Sequence, residues 1–128
     1  MLHDNIKVGE NGHLYFAGMD TVDLAKKYGT PLYLMDENKL RENCRTFLKC
    51  IQKHFGEKSI PIFASKAISY LDIYRILKSE GIATDVVSGG EIFAASKAGF
   101  SSSMMFFHGN NKTDAEIEYA LKSDVGYF

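Results

Sequence analysis

The sequence predicts an α/β fold, the first half of a (β/α) barrel. Three observations carry that expectation. From residue 60 onward, short apolar runs alternate with segments of helical period. Each unit takes roughly 20–24 residues, short for a full βα repeat but suited to a tight barrel. The polar residues that punctuate the units fall at or just after the end of each apolar run: Lys66, then Asp85–Glu91, then His108–Lys112. Strands alternating with helices imply a parallel sheet covered by helices. A four-stranded piece of such a sheet leaves an edge unpaired after Phe128, so the chain is expected to be the N-terminal part of a larger protein.

The elements follow in chain order. Residues 13–17 and 32–35 read as strands, with a short helix near Thr21–Tyr28 between them. That helix stops at Gly29, and Pro31 prevents its resumption. The strongest local signal is a helix from about Glu37 to Phe55. Asp36 can cap it, and Leu40, Cys44, Phe47, Leu48, Ile51 and Phe55 recur on one face. Ile60–Ala64 is a buried-looking strand, followed by Lys66 and a helix from Ser69 with Tyr70, Ile73, Tyr74 and Leu77 inward, closed by Gly81. Ala83–Val87 is the next strand; Ser88-Gly89-Gly90-Glu91 leads into a helix closed by Gly99. Met104–Phe107 is a third strand, and Thr113 with Glu116 forms a capping box at the start of the last helix. Val125–Phe128 looks like a fourth strand.

Composition excludes several classes. With 128 residues, 45% hydrophobic and 24% charged, the chain has ordinary globular usage. A formal net charge of −1 offers no basic field for nucleic acid or an anionic membrane. The start, Met1-Leu2-His3-Asp4-Asn5, is polar and shows no signal peptide, and no transmembrane run follows. Cys44 and Cys50 are six residues apart in one predicted helix, about 240° around it, so they cannot pair there. Reduced thiols in a cytoplasmic protein are the expectation, with Cys44 in the core. Metal-ligand spacing, a nucleophile elbow and a Walker loop are all absent from the sequence.

The chemistry gathers at the three strand ends, which in a barrel share one mouth. A lysine ending an apolar strand is partly desolvated, which favours its neutral form and makes it a nucleophile toward an aldehyde. The bland alternative is a lysine snorkelling its ammonium to the rim. Asp85, inside a barrel, needs a cationic partner, and Lys66 on the adjacent strand is within plausible reach. Ser88-Gly89-Gly90 permits close backbone approach and opens a helix whose N–H groups favour an anion; an ordinary βα turn explains the same glycines. His108-Gly109-Asn110-Asn111-Lys112 is either a plain turn or a set of groups at the mouth.

Four segments together resemble the diaminopimelate decarboxylase family: Tyr28-Gly29-Thr30-Pro31-Leu32-Tyr33, Ala64-Ser65-Lys66-Ala67, Asp85-Val86-Val87-Ser88-Gly89-Gly90-Glu91 and Phe107-His108-Gly109-Asn110-Asn111-Lys112. Ornithine- and arginine-type decarboxylases place their lysine in a different local context, and alanine racemases lack the last two segments. The resemblance implies a PLP-binding (β/α)8 TIM barrel over residues 36–128, truncated, and a separate β-domain to which residues 1–35 contribute strands. It implies pyridoxal 5′-phosphate as cofactor, with Lys66 as the catalytic attachment residue, Asp85 beside the cofactor and Ala64 lining it. His108 and Asn110 transfer as mouth residues in the cofactor-binding set. The implied reaction is decarboxylation of meso-2,6-diaminopimelate to L-lysine and CO₂, by a cytoplasmic homodimer with a small amino-acid substrate and no nucleic-acid or membrane partner. The family's phosphate loop, its acid facing the pyridine nitrogen, its ring-stacking histidine and a cysteine from the dimer partner are not in this stretch. Two alternatives stay open: a decarboxylase of the same fold for ornithine or a carboxylated polyamine precursor, and a non-catalytic PLP-binding regulator.

Overall fold

Ala17 and Gly18 turn the chain back on itself. Both have positive φ, 50° and 82°, and they form the two-residue loop that joins Phe16 to its register partner Met19. Backbone of that hand matches the twist of antiparallel strands. The strands are β1 (Ile6–Val8), β2 (Leu14–Phe16) and β3 (Met19–Asp20), in that order across an antiparallel sheet. Asp20 then caps α1 (Thr21–Tyr28) by accepting from Val22 N, while its other oxygen takes His13 Nδ1 at 2.8 Å. The structure, a computed structural model, describes residues 3–128; Met1 and Leu2, part of the polar start read from the sequence, lie outside them.

Residues 32–35, expected as a strand, carry no ladder, and Tyr33 is 99% exposed. An apolar run signals a strand only where a partner offers its edge, and among the described residues none does. The chain divides after Leu40 into two compact units. The helix α2 (Glu37–Phe55) begins as the sequence predicts, with Lys39 N donating to Asp36 Oδ1 at 3.0 Å. Of its predicted apolar face only Cys44 is buried; Phe47 and Phe55 are 68% and 80% exposed. Both cysteines are free, and burial pushes the Cys44 thiol up.

The second unit holds a parallel sheet, β4 (Ile62–Ala64), β5 (Ala83–Val86) and β6 (Met105–Phe107), in sequence order. The crossovers are α3 (Leu71–Ser79) and α4 (Gly89–Lys97), with α5 (Asp114–Lys122) after β6. Strands laid down in sequence order through crossovers of one hand put every helix on the same face, the winding a (β/α) barrel uses. Burial agrees: Thr84, Val86, Met105 and Phe107, on the helix side, are at most 1% exposed, and so are Ile73, Leu77, Ile92 and Ala95 of the helices. Tyr70, expected inward, is instead the residue before α3 and is 39% exposed.

The fourth predicted strand contributes a single parallel bridge, Phe106 with Tyr127, and Phe107 N donates to Tyr127 O at 2.8 Å. Gly126 permits that approach, since a Cβ there would meet Ser103 O at 2.7 Å. Among the described residues no helix is long and apolar enough to cross a membrane.

Candidate active site at the C-terminal edge of the sheet

Parallel register decides which residues stand side by side. Ala64 pairs with Asp85, and Asp85 with Phe106, so these three form one row across the sheet, continued by the bridge from Phe106 to Tyr127. Alternation along each strand puts this row on the face opposite the helices, together with Ile62. That face is open: Ile62 is 48% and Tyr127 56% exposed, and Ala64 is exposed as well. The Phe106 and Tyr127 rings stack at 4.2 Å and 4°. The sequence reading missed this aromatic pair, because its signal is the strand register rather than any motif.

Just past the C-terminal ends of the three strands, at the same edge of the sheet, come Lys66, Val87 and His108. Lys66 is the middle residue of a 3₁₀ turn, Ser65–Ala67, closed by Ile68 N donating to Ser65 O at 3.0 Å. Its side chain is exposed, so this chain does not supply the desolvation expected of a strand-end lysine. Nor does Asp85 pair with Lys66. Asp85 Oδ1 instead accepts the backbone N–H of Ser65 at 2.7 Å, and thereby fixes the turn that carries the lysine. The reason is geometric: the amide at the head of the turn lies directly beside the carboxylate, whereas the ammonium sits at the end of a long flexible stem.

At the start of α4, the ordinary turn is the one of the two readings that the hydrogen bonds favour. Ser88 Oγ caps it by accepting from Glu91 N at 3.3 Å. The Glu91 carboxylate reaches back to the N–H of Val87, and Glu116, from α5, accepts the N–H of Gly89 at 3.2 Å. Two of the amides that could have received an anion are therefore already bonded to the chain's own carboxylates, and the helix's positive end is answered by negative charge. A phosphate dianion does not fit there.

In the last loop, Gly109 has a φ of 149°, and Lys112 folds back so that its ammonium donates to Gly109 O at 3.2 Å and stands 5.1 Å over the Phe107 ring. His108 is anchored by its backbone, whose N–H donates to Val86 O at 3.0 Å, and its side chain is exposed, as is that of Asn110. The structure thus brings Lys66, Ala64, Asp85 and His108 to one edge, with Asn110 on the loop beyond. An exposed primary amine on a fixed turn, flanked by a small side chain and a carboxylate on an open floor, suits the aldehyde and ring of pyridoxal.

Comparison with known proteins agrees. Residues 37–128 match the model of the family described as pyridoxal-dependent decarboxylase, pyridoxal binding domain. The chain is 45% identical over 124 residues to diaminopimelate decarboxylase of Bacillus methanolicus, covering 97% of this chain and 28% of that protein. It is 40% identical over 125 residues to the Bacillus subtilis enzyme of the same name, again 28% of that protein. A crystal structure of the Methanocaldococcus jannaschii diaminopimelate decarboxylase superposes with a TM-score of 0.82 at 34% identity, over 97% of this chain and 29% of that one. The chain therefore spans less than a third of the length of the relatives it matches. With most of its length, including the whole parallel sheet, matched by that model, the chain belongs to the family of pyridoxal-dependent decarboxylases, as their pyridoxal binding domain.

Proposed function

We propose that the complete protein carrying this chain decarboxylates meso-2,6-diaminopimelate to L-lysine and CO₂, with Lys66 as the cofactor-attachment residue. The observation that carries this reading is the exposed Lys66 residue on a turn pinned by Asp85, just past the Ala64–Asp85 pair at the sheet's C-terminal edge. Pyridoxal, when bound, supplies an aldehyde for the amine and a ring that takes up the electrons released as CO₂ leaves. Asp85 orients the lysine by holding Ser65 N–H. Ala64, with only a methyl group, leaves room for a planar ring over the sheet. His108 and Asn110 line the same edge and supply polar contacts there. The family resemblance puts the groups for the phosphate and the ring nitrogen outside these residues, and an α4 start already bonded to Glu91 and Glu116 suits that for the phosphate.

The substrate reading rests on the relatives at 45% and 40% identity, all named diaminopimelate decarboxylase, and on a solved complex of the M. jannaschii enzyme with L-lysine. The same reading assigns residues 1–35 to a β-domain completed by later chain and 36–128 to the barrel. It takes the whole protein as a cytoplasmic homodimer; two free cysteines suit a reducing compartment.

The test uses the full-length protein. Borohydride reduction followed by peptide mapping places the phosphopyridoxyl mass on the peptide containing Lys66, and Lys66→Ala abolishes turnover while preserving the circular dichroism of the fold. CO₂ release from meso-diaminopimelate exceeds release from ornithine by about a hundredfold or more, since a site built for two amino-acid heads leaves buried polar groups unpaired with ornithine. Label on Lys97 or Lys112, or equal turnover of the two substrates, refutes the corresponding part.

A further inference from the structure

Beneath the Lys66 turn, on the helix side of the sheet, lie two hydroxyls that the site as described does not use. Ser65 and Tyr74 are each 0% exposed, and among the described residues their Oγ and Oη are the buried side-chain polar atoms that lack a hydrogen-bond partner. Ser65 is the residue immediately before Lys66, and Tyr74 projects from α3, the helix that follows the turn. Burying one hydroxyl without a partner is costly, and a chain that buries two in the same place has a use for both.

Their surroundings are polar. Burial raises the Tyr74 phenol's pKa, the nearby Ser65 hydroxyl pulls it down, and the negative charges of Glu91 and Asp85 push it up again. The phenol thus lies close to Ser65, to the carboxylate that grips Ser65 N–H, and to the carboxylate that grips Val87 N–H. With two carboxylates disfavouring its ionisation, it keeps its proton and acts as a donor.

We propose that Tyr74 is a positioning residue for Lys66: its phenol donates to Ser65 Oγ, directly or through one ordered water, and completes the bonds that hold the lysine-bearing turn. Three sides of Ser65 are then fixed. Its N–H is held by Asp85, its carbonyl by Ile68 N, and its hydroxyl by Tyr74. Ser65 has no remaining freedom to swing, so the Cα of Lys66 presents its side chain toward the open face at one height. Asp85 and Tyr74 grip the same residue from the sheet side and the helix side. The aromatic body of Tyr74 alone would fill the core equally well, which makes the hydroxyl the informative group.

This inference rests on Lys66 being the attachment residue, and the experiment separates the two. In the full-length protein freed of cofactor, wild type, Tyr74→Phe, Ser65→Ala and the double variant are mixed with pyridoxal 5′-phosphate and quenched with borohydride at intervals. Labelled peptides are then quantified. Capture at Lys66 slows by about fivefold to tenfold in each single variant, as expected for a lost buried hydrogen bond. The double variant is no slower than the slower single, because both remove one interaction. Background labelling of Lys97 and Lys112 stays unchanged, and the visible circular dichroism of the bound cofactor weakens in all three variants as the ring loses a fixed orientation. Capture at Lys66 with wild-type rate and wild-type dichroism overturns this inference alone. Multiplying effects in the double variant also overturn it, since they mean the hydroxyls act separately. Wild-type label on another lysine overturns the functional reading, and this inference with it. Thermal melts run in parallel, and if Tyr74→Phe does not fold, Ser65→Ala decides by the same two readouts.

Discussion

One oxygen of Asp85 holds the turn on which Lys66 stands, and this makes two substitutions at the position behave differently. In Asp85→Asn the amide oxygen can still accept the N–H of Ser65, so folding stability of the full-length protein stays close to wild type. In Asp85→Ala that buried N–H loses its acceptor, at a cost of about 1–3 kcal/mol, which appears as a lower urea midpoint with an unchanged slope. Equal midpoints for the two variants would show that the hydrogen bond does not hold the turn. The sequence made Asp85 and Lys66 conspicuous as opposite charges at adjacent strand ends. Its reading of them as an ion pair failed because charge pairing takes no account of the nearer partner, a backbone amide. Tyr74 was legible only as an inward residue at helical spacing; nothing in that spacing tells whether the buried ring carries a working hydroxyl.

Helices were the legible elements, because their ends are written in side-chain chemistry. Thr113 accepts from Glu116 N at 3.3 Å while the Glu116 carboxylate takes Thr113 N at 3.1 Å, the capping box expected from the sequence. Thr113→Ala lowers stability by about 1 kcal/mol. Glu116→Ala is the more damaging, since the same carboxylate also holds Gly89 at the head of α4, a tie between helices that no local motif announces. Strands were less legible: the apolar run at 32–35 found no edge among the described residues, and the one at 125–128 made a single bridge. Between α2 and the end of α3, Glu80 takes Arg45 Nε at 2.7 Å and Arg41 Nη1 at 2.8 Å. The Arg45 and Arg41 guanidiniums hold its carboxyl down at about 2, from 4.5. A depressed folded value means that the stabilisation is complete above the unfolded value near 4.5 and is lost as pH falls toward about 2. Acid titration of Glu80→Gln, followed by circular dichroism, therefore shows a shallower loss of stability between pH 4.5 and 2 than wild type. Identical acid profiles would remove this ion pair from the account.

On the scale of the whole chain, the parallel sheet is finished on one face and unfinished on the other. Helices cover Thr84, Val86, Met105 and Phe107, but the row that carries Ala64, Asp85, Phe106 and Tyr127 faces outward, with Ile62 48% and Tyr127 56% exposed. Apolar side chains in that number on one surface lower their free energy by meeting another surface. The chemical groups are divided in the same way. This chain offers an amine for an aldehyde, and a carboxylate that orients it, yet its own α4 start turns a phosphate away because Glu91 and Glu116 already occupy the amides of Val87 and Gly89. Under the proposed function, affinity for pyridoxal 5′-phosphate draws on phosphate contacts other than the α4 start, and the sequence spans 28% of its B. methanolicus relative. The expected outcome for residues 1–128 expressed alone follows from both halves of that argument. The polypeptide elutes from size-exclusion chromatography as associated species, binds a hydrophobic dye strongly, and releases no CO₂ from meso-diaminopimelate in the presence of added cofactor. Replacing Ile62 and Tyr127 by polar residues reduces the association without restoring turnover, because association comes from the open face while inactivity comes, on the proposed function, from phosphate and ring-nitrogen partners outside these residues. A monodisperse monomer that turned over substrate would show that the open face is stable in water and that four residues at one sheet edge suffice for the chemistry.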